Sequence, residues 1–214
     1  YSIKTLLELN YMKIHLDLDC YFVSAERTRY PFLKGKNVVV AKGSDKKIFS
    51  KDKKEGVIVG RNGAFNSILE FKNSYDINNI LQAWRDEFID ENGEIHGIVI
   101  AKSYECKPYG IKTGTPLRDA IHMCPNLIIL PSDHLFYVEL SQKLKAFLEL
   151  KIPVLETYSI DEFFGDLGGW IKDEDTLEFI TELRDEIMQK FDLPITIGAS
   201  RSKWIAKLLT DCVK

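Results

Sequence analysis

The sequence predicts an α+β fold built on a ferredoxin-like, split βαβ antiparallel sheet with a small additional subdomain. From residue 132 onward the pattern is helix, strand, strand, helix, strand, and an isolated alternating strand lies near the start. Both long helices in this stretch have an apolar face. We therefore expect two helices to cover one face of the sheet and to leave the other face for chemistry.

Composition limits the possible classes of protein. The chain has 214 residues, enough for one large domain or two small ones, and its 45% hydrophobic content excludes a disordered chain. The net charge of −3 counts mildly against a stand-alone nucleic-acid binder, unless the main DNA-gripping parts lie elsewhere. No cysteine pair has metal-site spacing, so we expect a reducing compartment and small buried side chains at Cys20, Cys106, Cys124 and Cys212. The expected location is cytoplasmic, or nucleoid-associated if the protein is bacterial.

The first half of the chain predicts short elements. Residues 1–12 show no secretory signal, and the sequence leaves open whether the first eleven residues are an extension. The polar stretch 43–56 contains five lysines and is better explained as a solvated loop than as a DNA-contacting surface. Thr115 is expected to cap a helix with Pro116 at its first position. The predicted elements are a strand at 14–19, a helix at 20–29, a strand at 37–41, a helix at 77–89, and strands at 97–101 and 127–130.

The second half predicts longer elements. A helix capped by Ser132-Asp133 has an apolar face, and a second long helix follows at 175–191. Strands are predicted at 154–158, 162–167 and 195–199, and a last helix at 202–213. The apolar faces consist of Phe136, Leu140, Leu144 and Phe147 in the first helix and of Leu177, Ile180, Leu183, Ile187 and Phe191 in the second.

Three carboxylates are the main chemical signal. Asp17 ends the first strand, and Asp161 and Glu162 lie at the tip of a hairpin on a neighbouring central strand. Clustered carboxylates repel one another unless cations compensate them, and oxygen ligands suit Mg²⁺. Two such ions about 4 Å apart can stabilise the attacking and leaving oxygens of phosphoryl transfer. From spacing alone, however, these carboxylates are better explained as ordinary charged residues at a strand end and a hairpin tip, without a bound metal ion.

Two further features are compatible with phosphate binding. The helix that begins near Cys20 would direct its first amides to the same sheet end as Asp17. In the last helix, Lys203, Lys207 and Lys214 lie opposite an apolar face formed by Ile205, Leu208, Leu209 and Cys212. A lysine stripe is usually only solvated, but beside a metal site it would supply charge to a triphosphate or a DNA backbone.

Four segments, in the same order, resemble the Y-family translesion DNA polymerases, the DinB/UmuC-like (ImpB/MucB/SamB) group. The segment 15–26 resembles the first metal motif of that family, and 103–116 resembles its finger motif, with the likeness continuing through 124–126. The pentapeptide 158–162 is similar to the second metal motif, and 198–207 to the closing palm motif.

The resemblance implies a role for each matched residue. Asp17 and Asp161 would hold two Mg²⁺ ions, for which Mn²⁺ can substitute, and Glu162 would hold the ion that activates the primer 3′-hydroxyl. The Leu18 carbonyl would be a further ligand. Phe22 would be the steric gate against a ribose 2′-hydroxyl. The triphosphate would be contacted by Cys20, Tyr21 and Phe22 through their amides and by Tyr104, Lys107 and Lys207; Lys203 and Lys214 are candidates for DNA contact.

The chain departs from the family pattern at several places. Lys107 stands where arginine is common, which exchanges a bidentate fork for a point charge and predicts weaker nucleotide orientation. Ser202 replaces the usual asparagine. The connection between residues 41 and 97 is longer than usual, so we expect an insertion at about 43–96, whose role the sequence does not indicate.

The resemblance also implies a domain organisation. Residues 12–20 and 132–214 would form the palm and residues 21–131 the fingers, while the thumb and little finger of the family are absent from this chain. The expected activity is template-directed DNA synthesis past damaged bases, on primer–template DNA with deoxynucleoside triphosphates. The chain alone is expected to be weak or inactive. Any contact with a sliding clamp is expected through regions outside this chain.

Two alternatives stay open. A nucleotide cyclase shares the split βαβ sheet and carboxylate metal ligands, but it would lack the 104–116 finger motif. A catalytically silent, polymerase-like DNA-binding or accessory protein is the second alternative. The presence of all three carboxylates and Lys207 argues against that second reading, although ligands alone do not prove turnover.

Overall fold

The structure is a computed structural model that describes residues 11–43, 57–58, 69–70 and 80–213, with side chains described for 11–43 and 84–213. The chain divides into two compact units. Unit 1 comprises residues 1–28 and 139–214, and unit 2 comprises residues 29–138. The sequence placed these divisions at 20/21 and 131/132, so most of the first helix belongs to the same unit as the first strand.

The elements follow the predicted order with shifts of a few residues. The strands are β1 (Lys13–Leu18), β2 (Val38–Lys42), β3 (Val57–Ile58), β4 (Leu69–Glu70), β5 (Ile98–Lys102), β6 (Ile128–Pro131), β7 (Val154–Thr157), β8 (Glu162–Asp166) and β9 (Ile195–Ser200). The α-helices are α1 (Tyr21–Arg29), α2 (Ile80–Phe88), α3 (Leu117–Met123), α4 (His134–Glu149), α5 (Thr176–Phe191) and α6 (Lys203–Val213), with 3₁₀ helices at Pro31–Leu33, Tyr104–Tyr109 and Asp173–Asp175.

Unit 1 contains the predicted split βαβ sheet. Its four strands lie in the order β7-β8-β1-β9, and every neighbouring pair is antiparallel. The first strand in sequence is therefore central, between two strands that come much later in the chain. This order confirms the α+β prediction and places the end of β1 beside the β7–β8 hairpin.

The two faces of this sheet differ in chemistry because side chains alternate along a strand. On β1, Ile14, Leu16 and Leu18 are buried and point to one face. His15 and Asp17 point to the other. In register with these two residues, β8 places Phe164 and Glu162 on the same polar face. The candidate chemistry and the apolar core therefore lie on opposite sides of one sheet.

Two long helices of the chain bury apolar side chains, with one departure from prediction. Leu144 and Leu148 of α4 and Leu183 and Ile187 of α5 are almost completely buried. Leu177, which was predicted on the apolar face of α5, is 72% exposed. It lies in the first turn of α5, where the neighbouring Thr176 is buried instead.

The last helix is oriented opposite to the prediction. Its buried residues are Ala206 and Thr210, whereas the predicted apolar face formed by Ile205, Leu208, Leu209 and Cys212 is exposed. Helix α6 packs on β1 and β9, over the polar face of the sheet. A Cβ added at Gly198 of β9 would lie 2.3 Å from the Ala206 carbonyl oxygen. Small residues are therefore required at this contact, and they turn the lysines of α6 towards the sheet.

Unit 2 has its own three-stranded sheet in the order β5-β2-β6, in which β2 is antiparallel to β5 and parallel to β6. Its core includes Val39, Phe88 and Val99 together with Cys106 and Cys124, which are buried as predicted. The cysteine prediction is wrong for Cys212, which is exposed, and Cys20 is only half-buried; both lie in unit 1. Strands β3 and β4 pair with each other. Of the predicted loop at 43–56, Gly43 is the one residue that the structure describes.

The predicted cap of α3 is wrong. Pro116, with an extended ψ of 140°, is the N-cap residue, and no side chain caps the helix. Thr115 and Pro116 instead pair with the β5 segment, since Val99 N donates to Thr115 O and Leu117 N donates to Gly97 O. Pairing with a strand keeps this segment extended until Leu117. None of the helices in the described part of the chain has the length and apolar character needed to cross a membrane.

Candidate active site

The three predicted carboxylates come from adjacent backbone positions at one end of the unit 1 sheet. Asp17 of β1 lies directly opposite Glu162 of β8 in the antiparallel register. The amide of Leu18 donates a 3.0 Å hydrogen bond to the carbonyl oxygen of Asp161. Asp17 is 9% exposed, and the Glu162 side chain is 16% exposed. The fold therefore places Asp17 beside Asp161 and Glu162, which come much later in the sequence, as the predicted strand order required.

The hairpin tip that carries Asp161 is held by a network of hydrogen bonds. The amides of Tyr158 and Ser159 both donate to the Glu162 carbonyl oxygen, which closes the turn. The Ser159 hydroxyl donates to Asp161 Oδ1 at 2.6 Å. On α4, the Ser141 hydroxyl donates to the Ile160 carbonyl oxygen. These bonds fix the position of the Asp161 carboxylate relative to the turn.

Glu162 is engaged by two cationic or potentially cationic groups on the polar face. Lys207 Nζ of α6 donates a short hydrogen bond to Glu162 Oε1. His15 Nε2 lies 3.8 Å from the same oxygen. Partial burial lowers the pKa of Lys207, but the hydrogen bond to Glu162 and the charges of Glu162, Asp211 and Asp17 outweigh that effect and raise it. Lys207 is therefore firmly cationic and lies within electrostatic range of the carboxylates.

The buried Tyr21 adjoins the same group of acids. Burial raises the pKa of the Tyr21 hydroxyl strongly, and the negative charge of Asp161 raises it further, against the lowering effect of a backbone hydrogen bond at Ser141. Tyr21 is therefore a neutral phenol at physiological pH. Because the Tyr21 side chain is buried, the nucleotide contact predicted for this residue would come from its backbone amide.

The donor set suits a hard divalent cation, since it offers carboxylate oxygens and a neighbouring main-chain carbonyl. Within the described residues, however, no three His, Cys, Asp or Glu side chains are gathered as they would be around a bound metal ion. Glu162 is bonded to Lys207 in this arrangement. The residues therefore fit a cation in chemistry and backbone placement, and a cation would compete with the Lys207 ammonium group for Glu162.

The turn between β1 and α1 has an unusual backbone. Cys20 has a φ of +48°, a left-handed conformation that is uncommon for residues other than glycine. The first helical hydrogen bond runs from Ser24 N to Cys20 O, so the amides at 21–23 precede the intrahelical ladder. Thr196 of β9 donates to Asp19 Oδ1 and anchors this turn to the sheet. Phe22, the predicted gate, is half-buried in the first turn of α1.

The predicted finger residues lie in unit 2 on the 3₁₀ helix Tyr104–Tyr109. Tyr104 is 39% exposed, and Lys107 Nζ lies 4.3 Å from the centre of its ring. The buried Ser103 accepts a hydrogen bond from Val38 N and donates to Lys36 O, which pins the start of this helix to the β2 segment. Tyr104 and Lys107 are thus presented outward as one stacked pair.

The remaining predicted contacts have different outcomes. Lys203 forms a short ion pair with Glu156 of β7, and its Nζ lies 4.4 Å from the Phe164 ring centre. Lys214 lies outside the described residues. The DNA contacts predicted for these two lysines stay predictions, as does the ligand role of the Leu18 carbonyl.

Sequence reasoning missed two residues of this site, His15 and Thr210. His15 Nδ1 and Thr210 Oγ1 are 2.7 Å apart and buried. Two signals were available: His15 precedes Asp17 by two positions on the same strand face, and Thr210 follows Lys207 by three positions on the same helix face. A polar residue at a fully buried strand position is itself informative.

Comparison with known proteins assigns the chain to a family. A profile described as the impB/mucB/samB family matches residues 16–211. The chain belongs to the impB/mucB/samB family. The matched range contains all three carboxylates, the finger motif and Lys207.

Relatives and solved structures agree with this assignment. The chain is 36% identical over 118 residues to DNA polymerase IV 1 of Halalkalibacterium halodurans, covering 55% of this chain and 29% of that protein. It is 26% identical over 202 residues to DNA polymerase IV of Dehalococcoides mccartyi, covering 94% of this chain and 39% of that protein. The chain therefore spans well under half of the length of these relatives.

The fold is also shared with a solved polymerase. The structure described as the insertion ternary complex of Dbh DNA polymerase superimposes with a TM-score of 0.71 at 22% identity. The superposition covers 95% of this chain and 46% of that one. At this level of identity the likeness establishes the fold of the chain.

Proposed function

We propose that the chain carries the catalytic site of a Y-family DNA-directed DNA polymerase that synthesises DNA past damaged bases. The observation that carries the proposal is the adjacency of Asp17, Asp161 and Glu162 at one end of a polar sheet face, with Lys207 bonded to Glu162. These residues occupy motif positions of a family whose relatives are named DNA polymerase IV. Unit 1 would act as the palm and unit 2 as the fingers.

In this proposal Asp17 and Asp161 would hold two Mg²⁺ ions, Glu162 would bind the ion that activates the primer 3′-hydroxyl, and the Leu18 carbonyl would bind the ion on the nucleotide side. When bound, the ions supply charge stabilisation for the attacking primer 3′-oxygen and the leaving pyrophosphate. The protein supplies orientation, because its ligands are fixed on two paired strands and a closed hairpin tip. Mn²⁺ can replace Mg²⁺, since both favour oxygen ligands.

The nucleotide would be held by groups around the same sheet end. The amides that precede the helical ladder of α1 face the triphosphate, which suits the partial positive charge of a helix start. Lys207 would leave Glu162 and pair with a phosphate oxygen when cations neutralise the carboxylate. Tyr104 and Lys107, which lie in unit 2, keep the triphosphate contacts that the finger motif implies. Phe22 would exclude a 2′-hydroxyl by steric overlap, so the substrate would be a deoxynucleotide.

Two other functions make different experimental predictions. A nucleotide cyclase would convert a single nucleoside triphosphate without DNA. A silent, DNA-binding or accessory protein would bind primer–template without extending it. The conjunction of three carboxylates with the lysine and the finger motif favours the polymerase.

The test is an extension assay with the protein in its complete natural form. A labelled primer on an undamaged template, and the same primer facing an abasic site, are incubated with four deoxynucleotides and Mg²⁺ or with EDTA. The proposal predicts Mg²⁺-dependent extension on both templates. Primer-independent formation of a cyclic nucleotide would indicate the cyclase. If the folded protein binds primer–template but does not extend the primer, the chain is the catalytically silent DNA-binding or accessory protein.

A further inference from the structure

Glu162 has the longest side chain of the three candidate carboxylates. Its side chain has three rotatable bonds, so it has to be held if it is to meet a cation in one geometry. Two groups contact it in the structure, and both approach the same oxygen, Oε1. Lys207 Nζ donates to it directly, and His15 Nε2 lies 3.8 Å away.

The orientation of the His15 ring is set by Thr210. The Thr210 hydroxyl donates its only hydrogen to the Lys207 carbonyl oxygen at 2.6 Å. Its oxygen therefore acts as the acceptor for His15 Nδ1–H at 2.7 Å. This assignment of the histidine hydrogen follows from the hydrogen-bond network. Phe164 packs against the ring with centroids 4.6 Å apart, which leaves the ring little room to turn.

The fixed ring directs its Nε2 edge at Glu162. A separation of 3.8 Å is longer than a hydrogen bond, so the ring acts as a rigid polar neighbour that limits the rotamers of the glutamate. The same Thr210 hydroxyl contacts the main chain of Lys207, the other residue that holds Glu162. One hydroxyl on α6 therefore connects both groups that border this carboxylate.

The contact depends on how closely α6 lies on the sheet. Gly198 pairs with His15 in the β1–β9 register, and its missing side chain admits the α6 backbone at Ala206. Thr210 follows one turn later on the same face and is fully buried. The small residues of β9 and α6 thus bring Thr210 into hydrogen-bond range of a strand residue.

We propose that His15 and Thr210 are positioning residues for Glu162, acting together to hold its carboxylate for the catalytic cation. The inference rests on the proposed polymerase function and names residues that the motif roles leave unassigned. Residues that orient a metal ligand typically change metal affinity or activity by about 10-fold to 100-fold when they are removed.

The decisive variant is Thr210→Val, which keeps the shape of threonine and removes the hydroxyl. Thr210→Ser restores the hydroxyl. The matched control is Thr176→Val on α5, since Thr176 is also buried and its hydroxyl also donates to an upstream carbonyl, that of Lys172, four residues earlier rather than three. Glu162→Gln and the double variant Thr210→Val/Glu162→Gln complete a cycle that measures coupling between the two sites.

Each variant is measured in the complete natural protein bound to primer–template. Mn²⁺ affinity is measured by electron paramagnetic resonance, and single-turnover extension separates the maximal rate from the apparent dissociation constant of the nucleotide. We expect Thr210→Val to weaken Mn²⁺ binding and to lower the maximal rate, each about 10-fold or more, with little change in nucleotide affinity. Thr210→Ser and Thr176→Val should behave like the unmodified protein.

The cycle separates positioning from a general loss of structure. If Thr210 acts through Glu162, the hydroxyl deletion adds little in the Glu162→Gln background. A full additional loss in that background, or unchanged Mn²⁺ affinity in Thr210→Val, would overturn the proposal. If Thr210→Val is unfolded at the assay temperature, His15→Asn serves instead. The asparagine amide can still donate to Thr210, but the Nε2 edge of the ring is absent. Normal Mn²⁺ binding by His15→Asn would also overturn the proposal.

The controls also distinguish this proposal from the function on which it rests. If the unmodified protein neither extends a primer nor binds Mn²⁺, the polymerase proposal fails and this inference fails with it. If the unmodified protein is active, Glu162→Gln is impaired and Thr210→Val is normal, only the positioning role is wrong.

Discussion

Substitution of Gly198 by alanine tests whether the close approach of α6 to the sheet serves catalysis. The new Cβ would lie 2.3 Å from the Ala206 carbonyl oxygen. A carbon and a carbonyl oxygen in contact are normally about 3.3 Å apart or more, so α6 has to move by roughly 1 Å. That movement would displace Lys207 and Thr210 together from Glu162 and His15.

The two expected effects differ in size. Overpacking typically costs about 1–3 kcal/mol of unfolding free energy, and the reduced freedom of the unfolded chain offsets about 0.4–1 kcal/mol of this. A displacement of about 1 Å at a catalytic group can cost about 100-fold in rate. We therefore expect Gly198→Ala to lose modest stability and most of its catalytic rate.

Gly165→Ala is the matched control for this experiment. Its Cβ would also be crowded, 2.8 Å from Ile14 Cγ1 and 2.9 Å from Ile152 Cγ2, but on the apolar face of the same sheet. Urea unfolding measures stability, and single-turnover primer extension measures the rate. Gly165→Ala should lose stability and retain its rate. If Gly198→Ala extends primers at a rate within about threefold of the unmodified protein, the contact is purely structural.

Four further predictions use single substitutions. Phe22→Ala should admit ribonucleotides, and unchanged discrimination between ribo- and deoxynucleotides in single-turnover assays would contradict its role as gate. Lys107→Arg should tighten nucleotide binding several-fold in a titration, because the planar guanidinium group can form two hydrogen bonds to a phosphate and still stack on the Tyr104 ring. Weaker binding by this variant would show that the lysine ammonium group is preferred. Partial burial raises the pKa of Asp166, but hydrogen bonds and the charge of its lysine partner lower it below its usual value. Asp166→Asn should therefore lower the unfolding free energy by less than about 1 kcal/mol at neutral pH. That difference should vanish as the pH falls through the lowered pKa, and a difference that grows on acidification would contradict the assignment. Leu177→Ala should change the unfolding free energy by less than about 0.5 kcal/mol because the side chain is 72% exposed, whereas Leu183→Ala should cost about 2–5 kcal/mol in the same urea titration.

The sheet of unit 1 could be predicted because its signals are local. Alternation in residues 14–19 indicates a strand with two different faces, and the later helix and strand pattern fixes the split βαβ order. Antiparallel pairing then sets Asp17 opposite the hairpin that carries Asp161 and Glu162. The fold class and the three carboxylates therefore follow from sequence patterns and motif order.

The orientation of α6 could not be predicted from its own sequence. Four apolar residues share one face of this helix, which ordinarily marks the buried side. The surface beneath the helix is the polar sheet face, and the space above Gly198 admits only small residues such as Ala206. The tertiary neighbour therefore overrides the helical pattern, and the lysines turn towards the carboxylates.

The hydrogen bond between His15 and Thr210 could not be predicted for a similar reason. Their hydrogen bond joins residues that are 195 positions apart, and the pattern of neither element shows which residue of the other it faces. Thr115 shows the same limit at short range, because pairing with β5 holds the segment extended and prevents the expected cap. Long-range pairing is the information that a single sequence does not display.

Asp161 and Glu162 are proposed to hold the catalytic cations. The most direct test is Mg²⁺-dependent incorporation of one deoxynucleotide by the complete protein, beside Asp161→Ala/Glu162→Ala and the control Glu156→Ala, which removes a carboxylate of β7. We predict incorporation by the unmodified protein and the control, and none by the double variant, with primer–template binding retained by all three. Equal incorporation by the double variant would show that the cations are held elsewhere, and would contradict the account.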